Sequence, residues 1–333
     1  MKVFPPLKRM AVYLAVVLAL LGAYLAYSLL RVRLAPSVRV PPLENVRSSP
    51  LYGHVAELSV RIGSRCVHET GRLDEAKAYI VRTLEAMGHR PELQDVPYEG
   101  RTYSNIVVTL PGRSLPGEVV VVGAHYDTVC GTPGADDNAS AVAVLLELCR
   151  AFAGSDLERG VRFVFFTLEE PPVFGTPHMG SAVFAREAKR KGEAITAMVC
   201  LEMVGYYSDR KGGQGFPVPL MALFYSTTPD FIAVVGDWAV RDLVARVGST
   251  LREGGTLAVE TVPFGGLVPG ADLSDHRSFR EVGYRAVMVT DTAFYRNPNY
   301  HTENDRIETL DFPRMAALTS ALATTVKDLA TRR

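Results

Sequence analysis

The chain has 333 residues, 47% of them hydrophobic, which is enough for one large domain with a full core once the N-terminal segment is set aside. Lys plus Arg and Asp plus Glu both total 36, so no global charge argues for nucleic acid or for acidic partners. There is no CxxC pair, no glycine-rich phosphate loop and no GxSxG elbow, and four irregularly spaced cysteines do not make a disulfide scaffold in a domain this large.

The chain opens with a basic tail, residues 1–9, carrying Lys2, Lys8 and Arg9. Met10 to Leu30 then carries no charge. As a helix this run would be about 31 Å long, enough to cross a bilayer core. It is long for a cleaved signal peptide, and its small-x-small site, Ala26-Tyr27-Ser28, is poor. Residues 10–30 therefore read as an uncleaved signal anchor. A short basic tail favours the cytoplasm, which puts the following domain outside. Residues 31–50 hold Pro36, Pro41, Pro42 and Pro50 and read as a semi-rigid linker. Residues 51–333 form the single large domain.

Within that domain Leu51–Leu58 and Leu73–Val81 have helical spacing, and Gly88 stops the second helix. Asn105–Leu110 and Val119–Val122 read as neighbouring strands joined by a Pro/Gly turn. Ala139–Phe152 is a mostly apolar, buried helix, and Val161–Leu168 a strand buried on both faces. A helix over Ser181–Lys191 and a strand over Ile195–Leu201 follow. Thr228–Leu251 reads as one long helix opened by Thr228-Pro229-Asp230, Arg285–Thr290 as the last strand, and Phe312–Leu329 as a terminal helix. Such β/α alternation implies an α/β fold, a largely parallel or mixed sheet with helices on both faces. Cys149 and Cys200 lie in apolar segments as core thiols, whereas Cys66 and Cys130 fall in loop-like sequence where one bridge and two free thiols are both open.

Ligands of such sheets bind at the carboxyl ends of strands. The acids and imidazoles of this chain collect there. Glu169-Glu170 ends an apolar strand, where two adjacent carboxylates repel each other and lose solvation, so a cation is the natural compensation. His125 and Asp127 end another strand, and Glu202 a third. Asp136-Asp137-Asn138 opens the buried helix; capping explains one of these acids but not both. Tyr300-His301 follows the last strand. Together they read as a two-metal hydrolase site in which one glutamate binds metal and its neighbour moves a proton. Asp127 could orient His125, and the Tyr300 phenol could donate to a developing oxyanion. Asp275-His276 reads as a supporting loop. Tyr206, Tyr207, Phe216, Phe224 and Tyr225 suit an apolar substrate pocket or core packing equally well.

The strings Gly123-Ala-His125-Tyr-Asp127-Thr, Gly134-Ala-Asp136-Asp137-Asn138-Ala-Ser, Glu169-Glu170, Glu202-Met-Val-Gly, Ser274-Asp275-His276 and Tyr300-His301-Thr302 occur in one order from about Leu51 to the C-terminus. In that order they resemble the co-catalytic zinc exopeptidases of the aminopeptidase Y and glutamate carboxypeptidase type. The resemblance implies a mixed sheet of about eight strands between helices, and two zinc ions per chain. It implies that Asp137 bridges the metals, that Glu170 and His301 complete one site and His125 and Glu202 the other, and that Glu169 is the general base. It also implies a cis peptide after Asp137. One departure stands out: family members usually place Asp where this chain has Glu202.

The expected activity is a membrane-anchored zinc aminopeptidase acting on peptides with a free N-terminus, in which a hydroxide held between the metals attacks the scissile carbonyl. Two other readings stay on the same fold: a glutaminyl-cyclase-like acyl transferase with one zinc, and a receptor-like ectodomain without catalysis. The full set of two imidazoles and three metal-binding carboxylates favours hydrolysis.

Overall fold

A computed structural model describes residues 12–16, 19–20, 48–217 and 219–331. The expected anchor and linker therefore lie almost wholly outside the described residues. Among those described, no helix is long and apolar enough to cross a membrane.

Eight strands form one mixed sheet: β1 (Glu92–Tyr98), β2 (Arg101–Leu110), β3 (Leu115–His125), β4 (Arg159–Phe166), β5 (Ala194–Glu202), β6 (Phe231–Val235), β7 (Ala258–Val262) and β8 (Ala286–Thr290). Their order is β1-β2-β4-β3-β5-β8-β6-β7. The central strands β4, β3, β5 and β8 run parallel. Their β-branched and aromatic runs, such as Val119–Val122 and Phe163–Phe166, are buried on both faces, as a covered parallel sheet demands. β1, β2 and β6 introduce the antiparallel pairings.

Helices cover both faces. One face carries α1 (Pro50–Val55, continuing as a wider turn through Ile62), α2 (Thr70–Ala86), α3 (Ala141–Phe152), α5 (Arg241–Gly254) and α7 (Phe312–Thr331). The other carries α4 (Gly180–Arg190) and the short α6 (His276–Glu281), docked through Phe166, Phe184 and Phe279, whose ring centroids lie 5.8–6.0 Å apart. Edge-to-face and tilted rings at this spacing add to the burial of their area.

Several elements depart from the sequence reading. Thr228–Leu251 is not one helix. Phe231–Val235 is a fully buried strand, and the helix starts only at Arg241. The run Phe-Ile-Ala-Val-Val between Pro229 and Gly236 is short and β-branched, and its edges pair with β7 and β8. Asn105–Leu110 and Val119–Val122 are both strands but not neighbours, because β4 lies between them. β1 and β7 lack a strong apolar signal: they are the edge strands, and one holds Pro97 and the other Glu260. Cys66 and Cys130 form a disulfide, and Cys149 and Cys200 are free and buried.

One buried cation organises the loops beneath the β3 terminus. Arg65 is fully buried, and its guanidinium donates to the carbonyl oxygens of Leu58, Gly63, Tyr126, Pro133 and Gly134 at 2.8–2.9 Å. Burial lowers its pKa to about 10, countered by Asp305 and Asp127, so it stays charged at neutral pH. Replacing it strands several buried acceptors at once. Arg65→Met should cost on the order of 3 kcal/mol, read by calorimetry as a Tm drop of roughly 6–12 °C. An unchanged Tm would mean that these turns hold without the guanidinium.

Candidate active site

The sheet delivers the acids and imidazoles to one end. His125 ends β3, Glu202 ends β5, and Glu169 and Glu170 lie three and four residues past β4. At three of these points the backbone is left-handed at a residue other than glycine: Leu168 before Glu169, Met203 after Glu202, and His301 itself have φ of 58°, 44° and 58°. Such backbone is costly and needs surrounding support.

Part of that support is visible. The Asn138 side chain donates to the Leu201 carbonyl and accepts from the Met203 N–H at 3.1 and 3.0 Å, which clamps the end of β5. The turn holding Asp137 begins at Gly134, φ 59°, where a Cβ would stand 2.5 Å from the Asp137 carbonyl oxygen. The peptide between Asp137 and Asn138 is cis. Asp305 accepts the N–H groups of Asp136 and Asp137 at 2.9 and 3.0 Å. Asp136 itself accepts from Gly205 N–H and Asn297 Nδ2, away from the imidazoles, so the two adjacent acids divide between support and site.

The side chains converge on Asp137. One of its oxygens lies 3.3 Å from His125 Nε2 and the other 3.1 Å from His301 Nε2. Glu202 Oε2 is 3.4 Å from His125 Nε2, and Glu170 Oε2 is 3.4 Å from His301 Nε2. Glu169 Oε2 is further out, 3.9 Å from His125 Nε2. Potential ligand atoms of His125, Asp137 and Glu202 lie within 4.8 Å of one another, and so do those of Asp137, Glu170 and His301. The two groups share Asp137. The extra methylene of Glu202 does not keep it from the site, and Ser274 Oγ donates 2.7 Å to its Oε2.

Asp127 supports the site from both sides. His125 Nδ1 is 3.2 Å from the Asp127 carbonyl oxygen and 3.5 Å from Oδ1. The Asp127 carboxylate also accepts the N–H groups of Glu169 and Glu170, both at 3.1 Å. Tyr300 stacks on His301, with ring centroids 3.7 Å apart. Asp275 is buried, and His276 bonds the Ala271 carbonyl with its pKa lowered to about 4 by burial, outside the cluster as a supporting loop.

The electrostatics call for a cation. Burial raises Glu169 well above the carboxylate range, offset in part by His125, and raises Glu170 to about 8 with help from the Asp137 charge. Burial raises Glu202 too. Burial would also raise Asp137, but the two imidazoles outweigh it and hold this acid low. Burial disfavours protonated His301, yet Asp137 and Glu170 lift it to about 10. His125 Nε2, Asp137 Oδ1, Glu170 Oε1 and His301 Nε2 are buried without a hydrogen-bond partner. Imidazole nitrogens and carboxylate oxygens aimed at common points fit zinc.

Beside Glu202 and Tyr300 opens a mostly apolar cavity, walled by Phe216, Met221, Tyr225 and Phe294 among others. Of the five aromatic residues singled out in the sequence, Phe216 and Tyr225 line it, whereas Tyr207 is buried against Arg296 and Arg314. The sequence reading gave no role to Arg65, Asp305 or Ser274. Nothing local marks them, since each acts on a partner far along the chain.

Residues 105–326 match the model of peptidase family M28. The chain is 36% identical to the YfbL protein of Escherichia coli (strain K12) over 299 residues, 87% of this chain and 91% of that one. It is 27% identical to leucine aminopeptidase 1 of Fusarium vanettenii over 67% of its own length, and spans about half (54%) of that longer relative. Among solved structures, the Bacillus subtilis zinc aminopeptidase BSAP superposes with a TM-score of 0.65 at 16% identity, covering 88% of this chain and 97% of that one. A Bacteroides thetaiotaomicron glutaminyl cyclase superposes at 0.63 and 18% identity, covering 87% and 99%. At such identities these two show the shared fold. The chain belongs to peptidase family M28 and is a metallopeptidase.

Proposed function

We propose that this metallopeptidase is a two-zinc aminopeptidase, tethered to a membrane by residues 10–30 with its catalytic domain on the extracytoplasmic side. The observation that carries the reading is the sharing of Asp137 between the two imidazoles, with a carboxylate beside each. Asp137, Glu169, Glu170 and Glu202 would bring four negative charges into one buried space. Two divalent cations would balance them; His125, Glu202 and Asp137 would hold one, and His301, Glu170 and Asp137 the other.

Bound zinc would polarise the scissile carbonyl and bring the pKa of a water toward 7. The remaining work falls to the chain. Glu169 takes a proton on its carboxylate and returns it to the leaving amine. Asp127 fixes the His125 ring through Nδ1 and holds the Glu169 and Glu170 backbones in place. Tyr300, stacked on His301 and lining the cavity, donates to the oxygen that gains charge. The adjoining cavity is mostly apolar and suits an apolar side chain of the substrate. The similarity to leucine aminopeptidase 1 supports N-terminal over C-terminal cleavage. The Cys66–Cys130 disulfide fits an oxidising compartment and so the extracytoplasmic placement.

Glu169→Gln should keep its metal content while kcat falls about 10²- to 10⁴-fold; near-normal turnover rejects the general-base role. Elemental analysis should find close to two zinc ions per chain, and a chelator should abolish cleavage of substrates with a free N-terminus. One zinc per chain would instead favour glutaminyl-cyclase-like acyl transfer. The full chain should stay with the membrane fraction after carbonate extraction, and its recovery in the wash would reject the anchor.

A further inference from the structure

Exposed apolar side chains are spread unevenly over this domain. Among its described residues eight large ones are exposed: Val60 and Leu93 stand apart in sequence, and the other six are Leu220, Leu223, Trp238, Leu267, Leu273 and Phe294. All six sit on the connections that flank β6, β7 and β8. Three stand far out of the surface: Leu267 is 83% exposed, Trp238 66% and Leu220 60%.

These residues belong to one band. Leu220 and Leu267 wall a single surface depression together with Met221, Phe264 and Val268. Met221 and Val268 also line the cavity beside Glu202, and so do the exposed Leu273 and Phe294. The turn that carries Trp238 is tied to the other end. Gly265 N–H donates to the Gly236 carbonyl at 2.9 Å, and a Cβ on Gly266 would stand 2.9 Å from Asp237 Oδ1. The apolar band therefore runs from the cavity to the turns that follow β6 and β7.

Scattered exposed apolar residues are ordinary, whereas a contiguous band of them marks a surface that something covers. Its shape points to the occupant. A partner protein is met by a close-packed, complementary patch. Here leucines and an indole project from separate turns, which suits insertion among lipid headgroups. An indole favours that depth because its body is apolar and its N–H is polar. The Arg241 guanidinium lies over the Trp238 ring, 4.8 Å from its centroid, and places a cation where lipid phosphates would lie.

The rest of the chain brings a bilayer within reach. Residues 10–30 carry no charge, and residues 31–47 separate them from the domain. At about 3.3 Å per residue that spacer reaches up to roughly 56 Å, more than the roughly 50 Å diameter of a domain this size. Any face can therefore turn to the bilayer, and surface chemistry selects which. A tether also holds the domain at an effective concentration in about the mM range, so a weak apolar contact is enough.

We propose that the band from Leu273 and Phe294 through Leu220 and Leu267 to Trp238 is a bilayer-docking surface, which lays this side of the domain on the lipid interface. The proposal rests on the anchor reading of residues 10–30 and is independent of the reaction catalysed.

Trp238 is the only tryptophan in the chain, so its emission reports on the band directly. The test reconstitutes the full chain into phosphatidylcholine–phosphatidylglycerol vesicles, with and without bromine on the acyl chains. An indole about 5–10 Å into the headgroup boundary lies within reach of the bromines, so brominated vesicles should lower its emission roughly twofold. Leu220→Asp combined with Leu267→Asp should remove most of that quenching and leave kcat/KM in detergent within about twofold of wild type. Equal wild-type emission in brominated and plain vesicles overturns the proposal, and so does quenching that the double variant keeps in full. Shielding from acrylamide that grows with protein concentration, without bromine quenching, assigns the band to a second copy and also overturns it. A chain that does not float with the vesicles defeats the anchor reading. The docking surface is then judged with vesicles added in excess, where bromine quenching upholds it and its absence overturns it.

Discussion

The structure is built around a charge imbalance at Asp137. Two imidazoles approach its two oxygens, and each brings another carboxylate to within 3.4 Å of its own Nε2. Buried acids at this density repel one another and lose solvation. The lifted His301 and Glu170 and the lowered Asp137 all report that imbalance. A fold that keeps such a cluster together without cations does so against its own electrostatics, and divalent ions convert the liability into binding energy.

That energy is useful only if the ligands arrive in register, and the backbone around them is held with care. Asp127 bonds two consecutive amides of the Glu169-Glu170 turn, and Asp305 does the same for Asp136 and Asp137. Each carboxylate fixes two N–H groups and so sets the direction of two side chains at once. Arg65 gathers the carbonyls of Tyr126, Pro133 and Gly134, in the segments that carry His125 and Asp137. The acids and the arginine therefore form a frame of opposite polarity around the cluster. Its members pull on backbone atoms, which leaves the imidazole and glutamate side chains open toward the metal positions.

Much of this was legible in the sequence because strand ends and function coincide. An acid or histidine directly after a run such as Val119–Ala124 or Val161–Leu168 sits at the carboxyl edge of a parallel sheet, and that edge is where ligands gather. The central strands and the helices of Thr70–Ala86, Gly180–Arg190 and Phe312–Thr331 were readable for the same reason: burial on one stripe or on two faces writes a pattern. What stayed hidden was non-local. Phe231–Val235 looks like the start of a helix until its partners β7 and β8 are known. The insertion of β4 between β2 and β3 is a matter of topology, which local spacing does not encode. Arg65 and Asp305 bond across gaps of up to 69 and 169 residues, so neither carries a neighbouring motif.

Glu202 shows how a sequence departure is absorbed. One more methylene than aspartate could push the carboxylate past the metal position or fold it aside. Here Ser274, just before α6, donates to Oε2 from one side while His125 faces the same oxygen from the other. Cys200, two residues back on the same strand, contacts Ser274 Oγ and extends the chain of polar groups into the sheet. The longer side chain is thus fixed by a hydroxyl from the helix layer rather than by its own shortness.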